Sequence, residues 1–268
     1  MARIGYLAFM SENPSSLADF YTTGFGMTEL GRTPSGDVTL TDGSFNITMF
    51  RLRPELNELR MEAGLHHIGV AVDNIDQVVT RYLAKYPRGT VVTEAADMQH
   101  GEVRIHDPET HPVTLSQKNF SLPPAVSRVP RIAHIALNAL DPDAIRDFYM
   151  SIFGFRELFE AHKERFKEPT YRNRHVGDGF TNVAIQTFYS GGEDGHEARF
   201  GVAHVGFLVP DSKAQAELVV AKGATVAARP ARRKQSESRM RDPQHNGADL
   251  SQRGWEVDHG KWVKAVED

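Results

Sequence analysis

The chain has no cysteine. This excludes a disulfide scaffold, a thiolate nucleophile, Cys-ligated zinc and a Cys-held iron–sulfur cluster, so any metal must sit on His, Asp, Glu or water. Long apolar runs are missing as well. No segment nears the roughly 18 consecutive apolar residues of a membrane span, and no secretory pattern precedes Ile4, so a cytoplasmic protein with no membrane partner is expected. A strong charge of one sign is also absent: 31 Lys and Arg face 35 Asp and Glu, a formal net charge of −4, and no nucleic-acid partner is expected. The one basic concentration, Arg229 to Arg241, reads most simply as a solvated hairpin. There is no glycine-rich phosphate loop, no HExxH and no Gly-x-Ser-x-Gly elbow.

What is present is a globular composition of 268 residues, 40% hydrophobic and 25% charged, enough for one large or two ordinary domains. It is also a repeat. Residues 4–30 align with 132–158 at a constant offset of 128, through Ile4/Ile132, Ala8/Ala136, Pro14/Pro142, Asp19-Phe20-Tyr21/Asp147-Phe148-Tyr149 and Phe25-Gly26/Phe153-Gly154. Asp42-Gly43 and Asn46 then match Asp178-Gly179 and Asn182. A second unit follows in each half, where His67-Ile68-Gly69 matches His204-Val205-Gly206. Both units close alike, with Glu102, Arg104, Asp107-Pro108 and Leu115-Ser116-Gln117 against Glu237, Arg239, Asp242-Pro243 and Leu250-Ser251-Gln252.

Each unit opens with an alternating strand (4–9, 65–72, 132–138, 202–209). A helix follows, announced by Ser15 or Ser16, Asp73 or Asn74, Asp141-Pro142 and Asp211, and then a run of short strands. The reading is α+β, four βαβββ modules paired into two cupped, partly open barrels. The expected domains are 1–120 and 131–256, with a proline-rich linker at 121–130 and a tail at 257–268. Pairing module one with four and two with three is the alternative, and the linker position favours sequential pairing.

Position three of the opening strands holds Tyr6, His67, His134 and His204. Two residues on, facing the same side, stand Ala8, Gly69, Ala136 and Gly206, which leave room beside each ring. A carboxylate on the closing strand would complete a ligand set. In the C-terminal half Asp249 stands there; in the N-terminal half Thr114 does. The candidate metal ligands are therefore His134, His204 and Asp249, two imidazoles and a carboxylate with open positions, suited to non-haem Fe(II), with Mn(II) or Zn(II) as alternatives.

These strands, the Asp147-Phe148-Tyr149 to Phe153-Gly154-Phe155 signature and the closing Asp242-Pro243 to Ala248-Asp249-Leu250 resemble the vicinal oxygen chelate superfamily across residues 3–256. That superfamily includes glyoxalase I, extradiol dioxygenases and bleomycin resistance proteins. The four-module layout is similar to the type I extradiol dioxygenases, which implies one Fe(II) binding a catecholic small molecule beside O₂. The resemblance places His134 and His204 on the two ligand histidines and Asp249 where the family has glutamate.

Two further departures stand out: Asn182 occupies the place of the acid–base histidine and Arg239 that of a tyrosine. Asn cannot shuttle a proton near neutral pH, so His175 and His245 join Asn182 and Arg239 as candidate catalytic residues. Arg239 could clamp a substrate anion with Glu237 orienting it, although Glu102 and Arg104 repeat that pair as a structural motif. Gln186 is a candidate fourth ligand or hydrogen-bond donor. The alternatives to a dioxygenase are a glyoxalase-type lyase or isomerase and a metal-free binding protein. Exposed sheet edges suit a homo-oligomer.

Overall fold

The computed structural model describes residues 2–53, 62–95, 98, 100–121, 128–158, 173–188, 200–228 and 236–265. Residues 122–127 of the expected linker and 229–235 of the basic stretch lie outside that set. The first half runs β1 (Arg3–Ser11), α1 (Pro14–Phe25), β2 (Thr28–Arg32), β3 (Val38–Thr41), β4 (Asn46–Arg51), β5 (Gly64–Ala71), α2 (Ile75–Lys85), β6 (Val91–Val92), β7 (Val103–His106) and β8 (Pro112–Ser116). The second repeats it as β9 (Arg131–Ala139), α3 (Pro142–Phe153), β10 (Arg156–Glu157), β11 (Arg174–Gly177), β12 (Asn182–Thr187), β13 (Gly201–Leu208), α4 (Ser212–Val220), β14 (Thr225–Ala228), β15 (Ser238–Arg241) and β16 (Gly247–Ser251). A hairpin of β17 (Trp255–Asp258) and β18 (Lys261–Val263) follows. Among the described residues no helix is long and apolar enough to cross a membrane.

The repeated Pro and Gly set the helix ends. Pro14 and Pro142 occupy the first turn, where no amide is missed, and α1 and α3 end at Gly26 and Gly154 in left-handed conformation, φ 65° and 75°. The cap of α1 is Asn13, not Ser15 or Ser16: its side chain accepts from the Ser16 amide. A proline in the first turn leaves the preceding residue as the natural cap, as Asp141 is before Pro142.

The strands form two eight-stranded mixed sheets, ordered β2-β3-β4-β1-β5-β8-β7-β6 and β10-β11-β12-β9-β13-β16-β15-β14. Each sheet joins two consecutive modules through an antiparallel central pair, β1–β5 and β9–β13, so pairing is sequential and neither sheet closes. Alternation sorts the faces: Ile135 and Leu137 of β9 enter the core with Phe148, Tyr149, Val183 and Val205, leaving His134 and Ala136 on the opposite, concave side.

The halves meet reciprocally. The Asp42 carboxylate accepts the Ile132 amide, and the Asp178 carboxylate accepts the Ile4 amide, each at 2.6 Å. Tyr21 Oη donates to Asp242 Oδ2 at 2.9 Å, and Phe25 stacks on Phe207 with ring centres 4.0 Å apart. Burial pushes the carboxyls of Asp42, Asp178 and Asp242 above the usual carboxylate range, and burial with nearby Asp242 pushes the Tyr21 phenol well up.

Candidate metal centre

Three adjacent strands, β9, β13 and β16, carry the candidate ligands. In register, His134 lies opposite Gly206, and Gly206 lies opposite Asp249. A Cβ at Gly206 would fall 2.7 Å from His134 Cβ and 2.8 Å from Trp255 Cζ2, so any side chain there would displace the imidazole. Gly206, two places after His204, thus makes room for the ring of His134 on the neighbouring strand.

His134, His204 and Asp249 are all buried and each offers one ligand atom within 4.8 Å of the others. His134 Nε2 lies 3.4 Å from His204 Nε2, and Asp249 Oδ2 lies 3.5 Å from His204 Nε2. Metal bonds of about 2.0–2.2 Å separate ligand atoms by about 3.0 Å at right angles and about 3.4 Å at tetrahedral angles, so the spacing suits a single ion.

The hydrogen-bond network fixes which nitrogen carries the proton. Asn182 Nδ2 donates to the Glu256 carbonyl at 2.7 Å, which identifies Oδ1 as the atom facing the two imidazoles. An amide oxygen only accepts, so His134 Nδ1 at 2.8 Å and His175 Nδ1 at 3.3 Å must both donate to it. Neutral His134 therefore turns a lone pair at Nε2 toward His204. His204 Nε2 in turn faces a donor, Arg239 Nη2, at 3.0 Å, and so carries a lone pair too. Two lone pairs and a carboxylate oxygen converging in a buried volume form a donor set that fits a divalent cation.

Other side chains brace this set. Trp255 is buried and stacks on the His134 ring, centres 5.1 Å apart and planes 2° from parallel. Asp249 Oδ1 accepts Arg239 Nε at 2.7 Å and its Oδ2 accepts Ser236 Oγ at 3.0 Å. Asn182 and Arg239 thus touch the candidate ligands directly, while His175 touches Asn182. His245 is exposed in the β15–β16 turn, its backbone at φ 66°. Gln186 lies four residues along β12 from Asn182, which stands opposite His134; at about 3.3 Å per residue that is about 13 Å, beyond reach as a fourth ligand. Glu237 does not orient Arg239 in the way its spacing suggests. It precedes β15, so alternation does not apply, and it binds Arg253 Nε at 3.1 Å and the Gln252 amide at 3.1 Å.

The N-terminal cup has the same frame with different contents. Tyr6, His67 and Thr114 hold the three positions in the same register. Phe120 stacks on Tyr6 at 4.8 Å, and Arg104 lies 3.4 Å from Thr114 Oγ1 and 3.5 Å from His67 Nε2. Burial, with the Arg104 guanidinium next, pushes His67 well below its usual range. The Ser236 contact with Asp249 and the stacking of Trp255 on His134 were not foreseen. For Trp255 a signal existed: Phe120 and Trp255 each stand three residues after the repeated Leu-Ser-Gln. Ser236 matches Gly101 in the twin and carried no signal.

The family model for the Glyoxalase/Bleomycin resistance protein/Dioxygenase superfamily matches residues 3–115 and 131–250. Among solved structures, the Mn(II)-bound glyoxalase from Novosphingobium aromaticivorans is 16% identical with a TM-score of 0.69, over 98% of this chain and 87% of that one. The 2,3-dioxygenase LapB from Pseudomonas sp. KL28 is 15% identical with a TM-score of 0.65, over 92% and 91%. The 2,2',3-trihydroxybiphenyl 1,2-dioxygenase from Sphingomonas wittichii strain RW1 is 15% identical with a TM-score of 0.58, over 96% and 95%. No curated protein matches the chain.

Proposed function

Because the chain belongs to the Glyoxalase/Bleomycin resistance protein/Dioxygenase superfamily, we propose that it is a metal-dependent enzyme acting on a small molecule with two adjacent oxygen atoms. One divalent ion is held by His134, His204 and Asp249. The observation that carries this reading is the convergence of two imidazole lone pairs and a carboxylate oxygen in the C-terminal cup, against Tyr6, His67 and Thr114 in its twin. The favoured reaction is an extradiol-type oxidation of a catecholic substrate, with Fe(II) ahead of Mn(II) or Zn(II). Two imidazoles and one carboxylate leave positions open for a bidentate substrate, and several dioxygenases share the fold. A bound ion would supply Lewis acidity and, as Fe(II), electron transfer to O₂.

The protein's own residues do the rest. Asn182 holds the His134 tautomer and orientation, Trp255 covers one face of that ring against water, and Arg239 and Ser236 fix the carboxylate. Arg239 also places a permanent cation where an oxyanion would develop. That cation favours a second reading, a glyoxalase-type lyase or isomerase: a fixed guanidinium suits an enediolate, whereas the Asn182 amide cannot exchange a proton.

The deciding experiment is elemental analysis of anaerobically purified protein beside His134→Ala and Asp249→Ala, followed by O₂-uptake and isomerase assays. About one equivalent of iron or manganese, lost in both variants, with O₂ uptake on catechols, is expected. Zinc or nickel with isomerase activity would establish the second reading. Absence of metal after reconstitution would overturn both in favour of a small-molecule binding protein.

A further inference from the structure

Trp255 closes one end of the C-terminal cup, where it packs with Ala133 near the start of β9 and Leu208 at the end of β13. A substrate therefore reaches the proposed ion from the other end, along β9 and β12. There the concave face carries His134, Ala136 and Asn138 on one strand and Asn182, Ala184 and Gln186 on the next, each opposite its counterpart. Leu137, Val183 and Ile185 turn into the core on the other side. The two alanines carry nothing past Cβ, and on its other flank Asn138 stands opposite Gly201.

The N-terminal cup fills the same path. The repeat offsets place Met10 where Asn138 stands and Phe50 where Gln186 stands, in the same parallel register. Both are fully buried and pack with Tyr6, Ala8 and Phe120 in one apolar cluster. An apolar plug in one twin is thus a pair of half-buried carboxamides in the other. Gln186 makes no hydrogen bond or ion pair among the described residues, so its amide is open to a ligand as donor and as acceptor. It lies about 13 Å along the strand from Asn182. That is too far to reach the ion and beyond a single ring chelated to it, but within the span of two linked rings.

Resting on the metal reading above, we propose that Gln186 determines specificity for the far end of the substrate. The C-terminal cup takes an elongated vicinal-oxygen compound, two linked rings or a ring with an arm of similar length, that ends in an uncharged hydrogen-bonding group such as a hydroxyl or an amide. An otherwise identical compound with an apolar end leaves the Gln186 amide unpaired and binds less well.

The test is anaerobic calorimetric titration of the Mn(II)-loaded full chain with catechol, 4-phenylcatechol and 4-(4-hydroxyphenyl)catechol, in wild type, Gln186→Leu and Gln186→Phe. Wild type is expected to bind the hydroxylated two-ring probe about three- to tenfold more tightly than the phenyl probe, the scale of one or two neutral hydrogen bonds. Gln186→Leu is expected to lose that preference with catechol unchanged. Gln186→Phe, which copies the twin, is expected to weaken both two-ring probes by about tenfold or more through overpacking, again with catechol unchanged. A preference that survives Gln186→Leu, or catechol weakening in step with the longer probes in Gln186→Phe, would overturn the proposal. Wild type that binds Mn(II) and catechol without preferring the hydroxylated probe would overturn it too and leave the metal reading standing. Wild type that takes no Mn(II) before any probe is added would overturn the metal reading itself, and this inference with it.

Discussion

The two cups differ at a few positions on a shared frame. Tyr6 and His134 both stand opposite an asparagine on one side and a glycine on the other, and Thr114 and Asp249 both stand opposite an arginine. Each cup also floors its first position with an aromatic ring, Phe120 or Trp255. What the frame keeps in both halves belongs to the architecture: the arginine, the asparagine, the glycine and the stacked ring. What changes gives the C-terminal cup its candidate ligand set and its surroundings: imidazole for phenol, carboxylate for hydroxyl, and His175 for Thr39. The asparagines show the consequence. Asn182 Oδ1 receives two imidazole N–H groups, whereas Asn46 Oδ1 is buried without a hydrogen-bond partner among the described residues, although both Nδ2 atoms donate to a backbone carbonyl, of Glu256 and Phe120.

The sharpest way to break the comparison is to exchange the contents of the cups. His134→Tyr with Asp249→Thr, which copies the N-terminal cup, is expected to abolish metal retention altogether. Tyr6→His with Thr114→Asp is expected to create a second, weaker equivalent, because Arg104 already stands beside position 114. Metal content after dialysis against Mn(II) reads both; an N-terminal exchange that gains nothing would show that the frame lacks something besides ligands.

Next in size are the floors. Removing Trp255 or Phe120 to alanine is expected to cost about 3–5 kcal/mol each in urea unfolding, as large buried aromatics do. The Trp255 variant should also lose metal faster, since its ring fixes His134, while the Phe120 variant should not. Equal metal loss from the two would argue that the effect is loosening of the whole chain.

The asparagines come third. Asn182→Leu is expected to weaken metal affinity about 10- to 100-fold, the usual penalty for losing a group that orients a ligand imidazole. Asn46→Leu should leave affinity unchanged and cost about 1 kcal/mol of stability. Calorimetric titration with Mn(II) beside thermal melts separates the two.

The smallest effect concerns the joint between the halves. The carboxyls of Asp42 and Asp178 are raised in the folded state, so the folded chain binds protons more tightly than the unfolded one there. Their contribution is favourable at low pH and is lost as pH rises from about 4 through the folded value. Asp42→Asn and Asp178→Asn should therefore gain stability relative to wild type as pH goes from 4 to 7. A flat difference across that range would mean that the amide contacts to Ile132 and Ile4, and not the charge, decide the joint.

Much of this was legible in advance because the repeat does the reading. Constant offsets aligned Pro14 with Pro142 and Gly26 with Gly154, and those residues start and stop helices by their own backbone chemistry. The alternation of His134 with Ala136 and of His204 with Gly206 put both rings on one face. Reasoning by spacing failed where an element boundary intervened: Glu237 and Arg239 are two apart, but the strand begins between them. It failed again for Gln186, which shares the face of Asn182 but lies too far along the strand.

By itself the sequence determined the four modules, the alternating faces and the positions at which imidazoles and a carboxylate could stand, because these follow from local conformational preference and a period of two. Only the tertiary structure decided that Asn182 receives two imidazole N–H groups, that Trp255 lies under His134, that Arg239 grips Asp249 rather than Glu237 serving as its partner, and that Asp42 and Asp178 tie each half to the first strand of the other. Those contacts join residues far apart in the chain. Their partners are chosen by strand register and by the need of buried polar groups for hydrogen bonds, and no local pattern encodes that choice.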